Sequence, residues 1–197
     1  MKVTAGTDRR DSIGDAAIAI VAREGLRSLT HRAVDRELDL PPGSTSYYAR
    51  TRRQLIETMV HRLANRTVTD LRPAATPPAG PVTVEDAAQA LAAMIDHLAV
   101  RADDHRARYA LNVDLVNDPE LHAYITSASP IRAGTLAAAA DRLDRLGVAD
   151  PERHAPGLVA LVDGLLFDRV AGSGLDPDAR PDAETVLRAY LRGLTGE

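Results

Sequence analysis

Between Asp11 and Arg27 the residues Ile13, Ala16, Ala17, Ile20 and Val21 fall at i, i+3, i+4, i+7 and i+8, which is one face of a helix. The period returns along the chain. It recurs through Leu55, Ile56, Met59, Val60, Leu63, Val68 and Leu71, then in Leu91, Met94, Ile95 and Leu98, and again in Tyr109, Val113 and Val116. Leu158–Val170 and Val186–Leu194 continue it. No stretch alternates convincingly as a half-buried strand would. The apolar supply points the same way: aromatics make up only 3%, and most of the rest is Ala, Leu and Val, a mixture better suited to helices than to sheets. The expected fold class is all-α, with about nine helices. The length of 197 residues suits one large domain or two small ones and allows a substantial core.

Local chemistry marks the boundaries. Gly25 can end the first helix in a left-handed conformation. Thr30 can cap a short second helix running to about Glu37. Pro41 and Pro42 stop the chain from continuing, yet proline suits the first turn of a new helix, so a third helix is predicted over about Pro42–Ala49. Thr51 and Gln54 form a capping box for a fourth helix to Leu71. The proline-rich segment Arg72–Thr83 reads as a loop, and helices over Ala87–Val100 and His105–Asn117 follow. Asp118-Pro119-Glu120 opens a long helix to about Leu146, which Pro130 should kink. Asp150-Pro151-Glu152 repeats the start signal, and Ala183–Leu194 is the last helix.

Two short helices joined by the turn Leu38–Pro41 form a helix-turn-helix, in which the N-terminal part of the second helix enters the major groove. The segment "PPGSTSYYARTRRQLIE", Pro41–Glu57, fits that role. Gly43, Ser44, Thr45 and Ser46 lack bulk and let the backbone approach DNA. Thr45 and Ser46 are expected at base edges, Tyr47 at a thymine methyl or sugar, and Tyr48 at the backbone alongside. Arg50, Arg52 and Arg53 crowd the N-terminus of the fourth helix, where the helix dipole disfavours cations; an external phosphate would explain them. Thr30 and Arg32, opening the first helix of the pair, complete the expected DNA-contacting set. Net charge is −4 overall, but residues 1–72 carry 13 Lys and Arg against 9 Asp and Glu, and the remainder 11 against 19. The two parts are thus expected to meet different partners.

The segment from Arg10 to Val60, with "GLRSLTHRAVDRELDLPPGSTSYYARTRRQLI", resembles the DNA-binding domain of the TetR family of bacterial transcriptional regulators. Ser46 stands where the family usually has the first tyrosine of its Tyr-x-Tyr-Phe run, and Arg52 replaces the usual lysine. The resemblance implies a DNA-binding domain over residues 1–52, a connecting helix over 51–71, and an effector-binding and dimerisation domain over 53–197. It implies a homodimer on a pseudo-palindromic operator, its last two helices pairing across the two-fold axis into a four-helix bundle. The breadth of the apolar face on Leu158–Val170 suits a helix covered on two sides. The expected interface is Leu158, Leu161, Val162, Leu165 and Leu166, with Leu187, Tyr190 and Leu191. The family's effector pocket lies among the middle helices, where His97, Tyr109, Asn112 and Tyr124 are polar groups set in apolar stripes. Mostly aliphatic walls would suit an apolar or amphipathic effector that releases a repressor from its operator.

Other chemistry finds little footing. There is no cysteine, and the six histidines show neither HExxH nor an i, i+4 pair, so no metal or cofactor is expected. No GxSxG, Walker A or dinucleotide fingerprint occurs, and the only lysine is Lys2. A small all-α enzyme is the alternative of a different class. A purely architectural DNA-binding protein would not explain the net-acidic stretch of 125 residues after Arg72. Without a membrane span or export signal, the expected location is cytoplasmic.

Overall fold

The computed structural model describes residues 4–71, 82–126 and 129–196. Ten α-helices and three short 3-10 helices form among the described residues, with no strand. The helices are α1 (Thr4–Glu24), α2 (His31–Glu37), α3 (Ser44–Tyr48), α4 (Arg52–Leu71), α5 (Val84–Ala99), α6 (Ala102–Asp114), α7 (Pro119–Ile125), α8 (Pro130–Arg145), α9 (Pro151–Ala171) and α10 (Ala183–Thr195).

The start signals act as their chemistry suggests. The Thr30 hydroxyl accepts from Ala33 N–H at 3.1 Å, and Thr51 accepts from Gln54 N–H at 3.1 Å while Gln54 Oε1 accepts from Thr51 N–H at 3.3 Å. Asp118 caps α7 through Leu121 N–H, with Pro119 in its first turn. Asp150 departs from its expected role: it precedes α9 in a left-handed conformation and makes no side-chain cap. The long helix expected from Asp118 to Leu146 is two helices. Pro130 opens α8, and Ser129 before it is extended, as the clash with a following proline ring demands. Of the loop 72–83, residues 72–81 lie outside the described residues.

The chain divides into two compact units, Met1–Thr69 with Asp103–Ser127, and Asp70–Ala102 with Ala128–Glu197. They do not follow a single cut near residue 52. In the first, α1, α2 and α4 bury Ile13, Ala17, Ile20, Val34, Leu55 and Met59 in one cluster, which also takes Ala107, Leu111, Leu115 and Leu121 from α6, its C-terminal end and α7. Ion pairs tie α4 to its neighbours: Arg62 to Asp11 at 3.1 Å, Arg66 to Asp15 at 2.8 Å and to the buried Asp104 of α6. In the second unit, α8 packs on α9, and α5 on α9 and α10. Leu91, Ile95, Leu143, Leu158, Leu166, Leu187 and Leu191 are buried there.

That packing corrects the expected interface. Leu158, Val162, Leu166, Leu187 and Leu191 are buried within the single chain, because α5 and α8 cover the face that looked too wide for its own chain. Leu161, Leu165 and Tyr190 stay partly exposed. Beside them Ala160, Gly164 and Phe167, spaced i, i+4 and i+7 on α9, are exposed, Phe167 at 46%.

Candidate nucleic-acid interface

The recognition helix α3 has only five residues, too few to hold itself. Its neighbour α2 holds it at both ends. Asp35 of α2, 3% exposed, accepts three hydrogen bonds: from Gly43 N–H at 2.8 Å, Thr45 N–H at 2.8 Å and the Thr45 hydroxyl at 2.6 Å. At the other end His31 Nε2 lies 2.6 Å from the carbonyl oxygen of Ala49, the residue that closes α3, and donates to it. Gly43 takes φ 92°, a left-handed turn natural to glycine, so the helix starts at Ser44 rather than at Pro42. Burial pushes the Asp35 carboxyl up, but the hydrogen bonds from the Thr45 hydroxyl and the N–H groups of Thr45 and Gly43 outweigh it. The net effect holds the group below its ordinary value.

Asp35 and His31 did not figure among the expected site residues. Their signal was present: His31, Val34, Asp35 and Leu38 fall at i, i+3, i+4 and i+7, so two polar side chains share the inward stripe and need buried partners. Thr45 is the converse correction. Expected at base edges, it is fully buried with its hydroxyl donated to Asp35.

The remaining expected residues distribute as follows. Ser46 is exposed, and Tyr47 is 82% exposed. Tyr48 is partly buried against the core and meets the Tyr47 ring edge-on at 5.1 Å. Ser44 donates its hydroxyl to the Pro41 carbonyl at 2.6 Å. Thr30, Arg32 and Gly43 are exposed, and Arg32 and Arg50 keep their guanidinium groups without a partner among the described residues. The other two arginines have internal acceptors that the sequence did not reveal. Arg52 donates to the Leu26 carbonyl at 2.7 Å, and Arg53 pairs with Glu57 at 3.2 Å and Glu120 at 3.0 Å.

The expected effector residues are not assembled by either unit alone. His97 is exposed on α5 of the second unit, whereas Tyr109 and Asn112 lie partly buried on α6 in the first. Asn112 Oδ1 is buried without a hydrogen-bond partner among the described residues. The Tyr124 side chain lies outside the described residues.

A braced helix-turn-helix followed by further helices is the build of a helix-turn-helix transcriptional regulator. Residues 82–195, more than half of the chain, match the family model described as tetracyclin repressor-like, C-terminal domain. The chain belongs to the TetR family of transcriptional regulators. Among solved structures, Salmonella enterica GusR shares the fold at TM-score 0.72 and 20% identity, with 100% of both chains covered. A TetR family member from Streptomyces coelicolor A3 aligns at TM-score 0.66 and 26% identity, covering 95% of this chain and 98% of that one. The multidrug binding protein EbrR, complexed with ethidium, aligns at TM-score 0.62 and 26% identity over 95% and 98% of the two chains. No curated protein sequence matches the chain. Among the described residues no helix is long and apolar enough to cross a membrane.

Proposed function

We propose that the protein is a homodimeric repressor that binds a pseudo-palindromic operator and is released by a small apolar or amphipathic effector. The observation that carries the DNA half of this reading is the bracing of α3 by Asp35 and His31. It leaves Ser46 and Tyr47 exposed, with Arg50 next to Tyr47, and Arg32 and Arg50 keep guanidinium groups without a partner among the described residues. Two such helices about one DNA turn apart, roughly 34–36 Å, would occupy successive major grooves. Thr30, Arg32, Gly43, Ser44, Ser46, Tyr47 and Tyr48 remain the proposed DNA contacts. Arg52 joins them through the guanidinium N–H groups not committed to Leu26. The protein acts by binding, and no catalytic group is assigned.

For the effector, EbrR is a solved relative in complexes with proflavin, imidazole and ethidium. The orphaned Asn112 oxygen supports a ligand carrying one donor, since a buried acceptor without a partner costs about 1–3 kcal/mol. His97, Tyr109 and Tyr124 remain proposed effector residues.

Selecting duplexes from a random pool, followed by gel-shift titration across a salt series, tests the reading. Affinity is expected to fall steeply with salt, by nearly one log–log unit per phosphate neutralised. Failure to enrich any sequence would remove the regulator reading. Within that assay, Tyr47→Ala is expected to weaken specific binding by about 1–3 kcal/mol. Because its ring is 82% exposed, the melting temperature is expected to stay unchanged. A large melting loss would instead assign Tyr47 to the core.

A further inference from the structure

A groove of about 990 Å³ lies in the first unit where α1, the C-terminal end of α3 and α4 approach one another. Tyr47 and Tyr48 form one end, with Arg50 beside them, and Arg10 contributes from α1. None of its lining residues is aliphatic, whereas sites for small organic molecules are mostly apolar. The acids that line it are already matched: Asp11 by Arg62 at 3.1 Å and Glu57 by Arg53 at 3.2 Å. Arg10 and Arg50 are exposed, and neither guanidinium has a partner among the described residues. The groove is therefore polar, positive in its uncommitted charge, and continuous with the outward tyrosine of the recognition helix. A sugar–phosphate backbone has the matching chemistry, because phosphate contacts from Arg, Tyr and Asn or Gln side chains position a protein on a duplex without reading its bases.

We propose that this groove carries the operator's phosphodiester backbone beyond the base pairs that α3 reads, with Arg10 and Arg50 each neutralising one phosphate. The inference rests on the regulator reading and extends the DNA footprint from the helix-turn-helix onto α1.

The test uses the full-length protein and the duplex it selects from a random pool, trimmed one base pair at a time from both outer ends, over a salt series. Wild-type affinity is expected to drop at the trimming step that removes the phosphates held in the groove. Arg10→Ala is expected to lower the log–log salt slope by about 0.9 per protomer and to bind full and trimmed duplexes alike. Arg10→Lys keeps the charge and is expected to restore most of the slope. Arg50→Ala gives an independent second reading of the same groove. An Arg10→Ala protein with the wild-type slope and the wild-type response to trimming would overturn the proposal, as would failure of Arg10→Lys to restore the slope. Those outcomes leave the regulator reading standing, because it falls only if the wild type selects no duplex at all.

Discussion

Asp35→Ala is expected to abolish specific operator binding while the protein remains folded. The substitution strips the acceptor from the Thr45 hydroxyl and from the N–H groups of Gly43 and Thr45. Hydrogen bonds to a charged acceptor contribute about 1.5–3 kcal/mol each, and because the three share one carboxylate their loss is not additive. A local cost of about 3 kcal/mol is expected, below the roughly 5–15 kcal/mol of a typical domain but enough to loosen a five-residue helix. Hydrogen exchange at Thr45–Ala49 together with a gel-shift titration measures both effects. Wild-type affinity in Asp35→Ala would show that α3 is held by packing alone. Asp35→Asn is expected to be milder, because its amide oxygen still accepts while its NH2 faces a backbone donor. The folded-state pKa of Asp35 is depressed, so its stabilisation is present in full above about pH 4. It is lost as pH falls through the lower folded value, so operator affinity from pH 5 to 7 is expected to be insensitive to this group.

The second large effect is expected on α9. Gly164→Arg should yield a folded monomer that binds operator at least tenfold more weakly than wild type, since each additional 1.4 kcal/mol of lost half-site contact is tenfold. A Cβ at Gly164 would meet nothing within 4 Å in the single chain, and replacing an exposed helical glycine usually helps the helix by about 1 kcal/mol. The isolated subunit therefore has no reason to object. A partner helix laid along Ala160, Gly164 and Phe167 would meet the new side chain directly. Light scattering and a melting curve together decide the matter. A dimeric Gly164→Arg protein of unchanged affinity would move the interface elsewhere, and an early-melting one would show that Gly164 serves the fold of the subunit.

What could be read from the sequence was governed by range. Thr30, the Thr51–Gln54 box and the Asp118-Pro119 start each depend on partners within four residues, and the structure forms all of them. Thr45 was misplaced because its direction is decided by Asp35, ten residues earlier on another helix. Arg52 finds its acceptor at Leu26, 26 residues away, a distance at which spacing says nothing. The leucines of α9 show a third limit. Periodicity reports that Leu158 and Leu166 are covered, but own-chain and partner coverage leave the same pattern. Asp118–Leu146 failed for a local reason: a proline between two helical stretches can bend one helix or begin another, and Ser129 in extended conformation decided for the second.

The membership of α6 and α7 in the first unit bears on how the protein is made. The polypeptide crosses from one unit to the other three times, near residues 69, 102 and 127, so the helix-turn-helix is not a detachable module. A fragment ending at Leu71 would lack Leu111, Leu115 and Leu121, which fill the same cluster as Ile13 and Met59. Each buried leucine stabilises by about 1.5–3 kcal/mol. On the ribosome, chains emerge at about 5–20 residues per second, and the headpiece cannot complete its core until α7 has been synthesised. A prematurely terminated or proteolysed chain that lacks α6 and α7 is therefore expected to select no duplex in the binding assay.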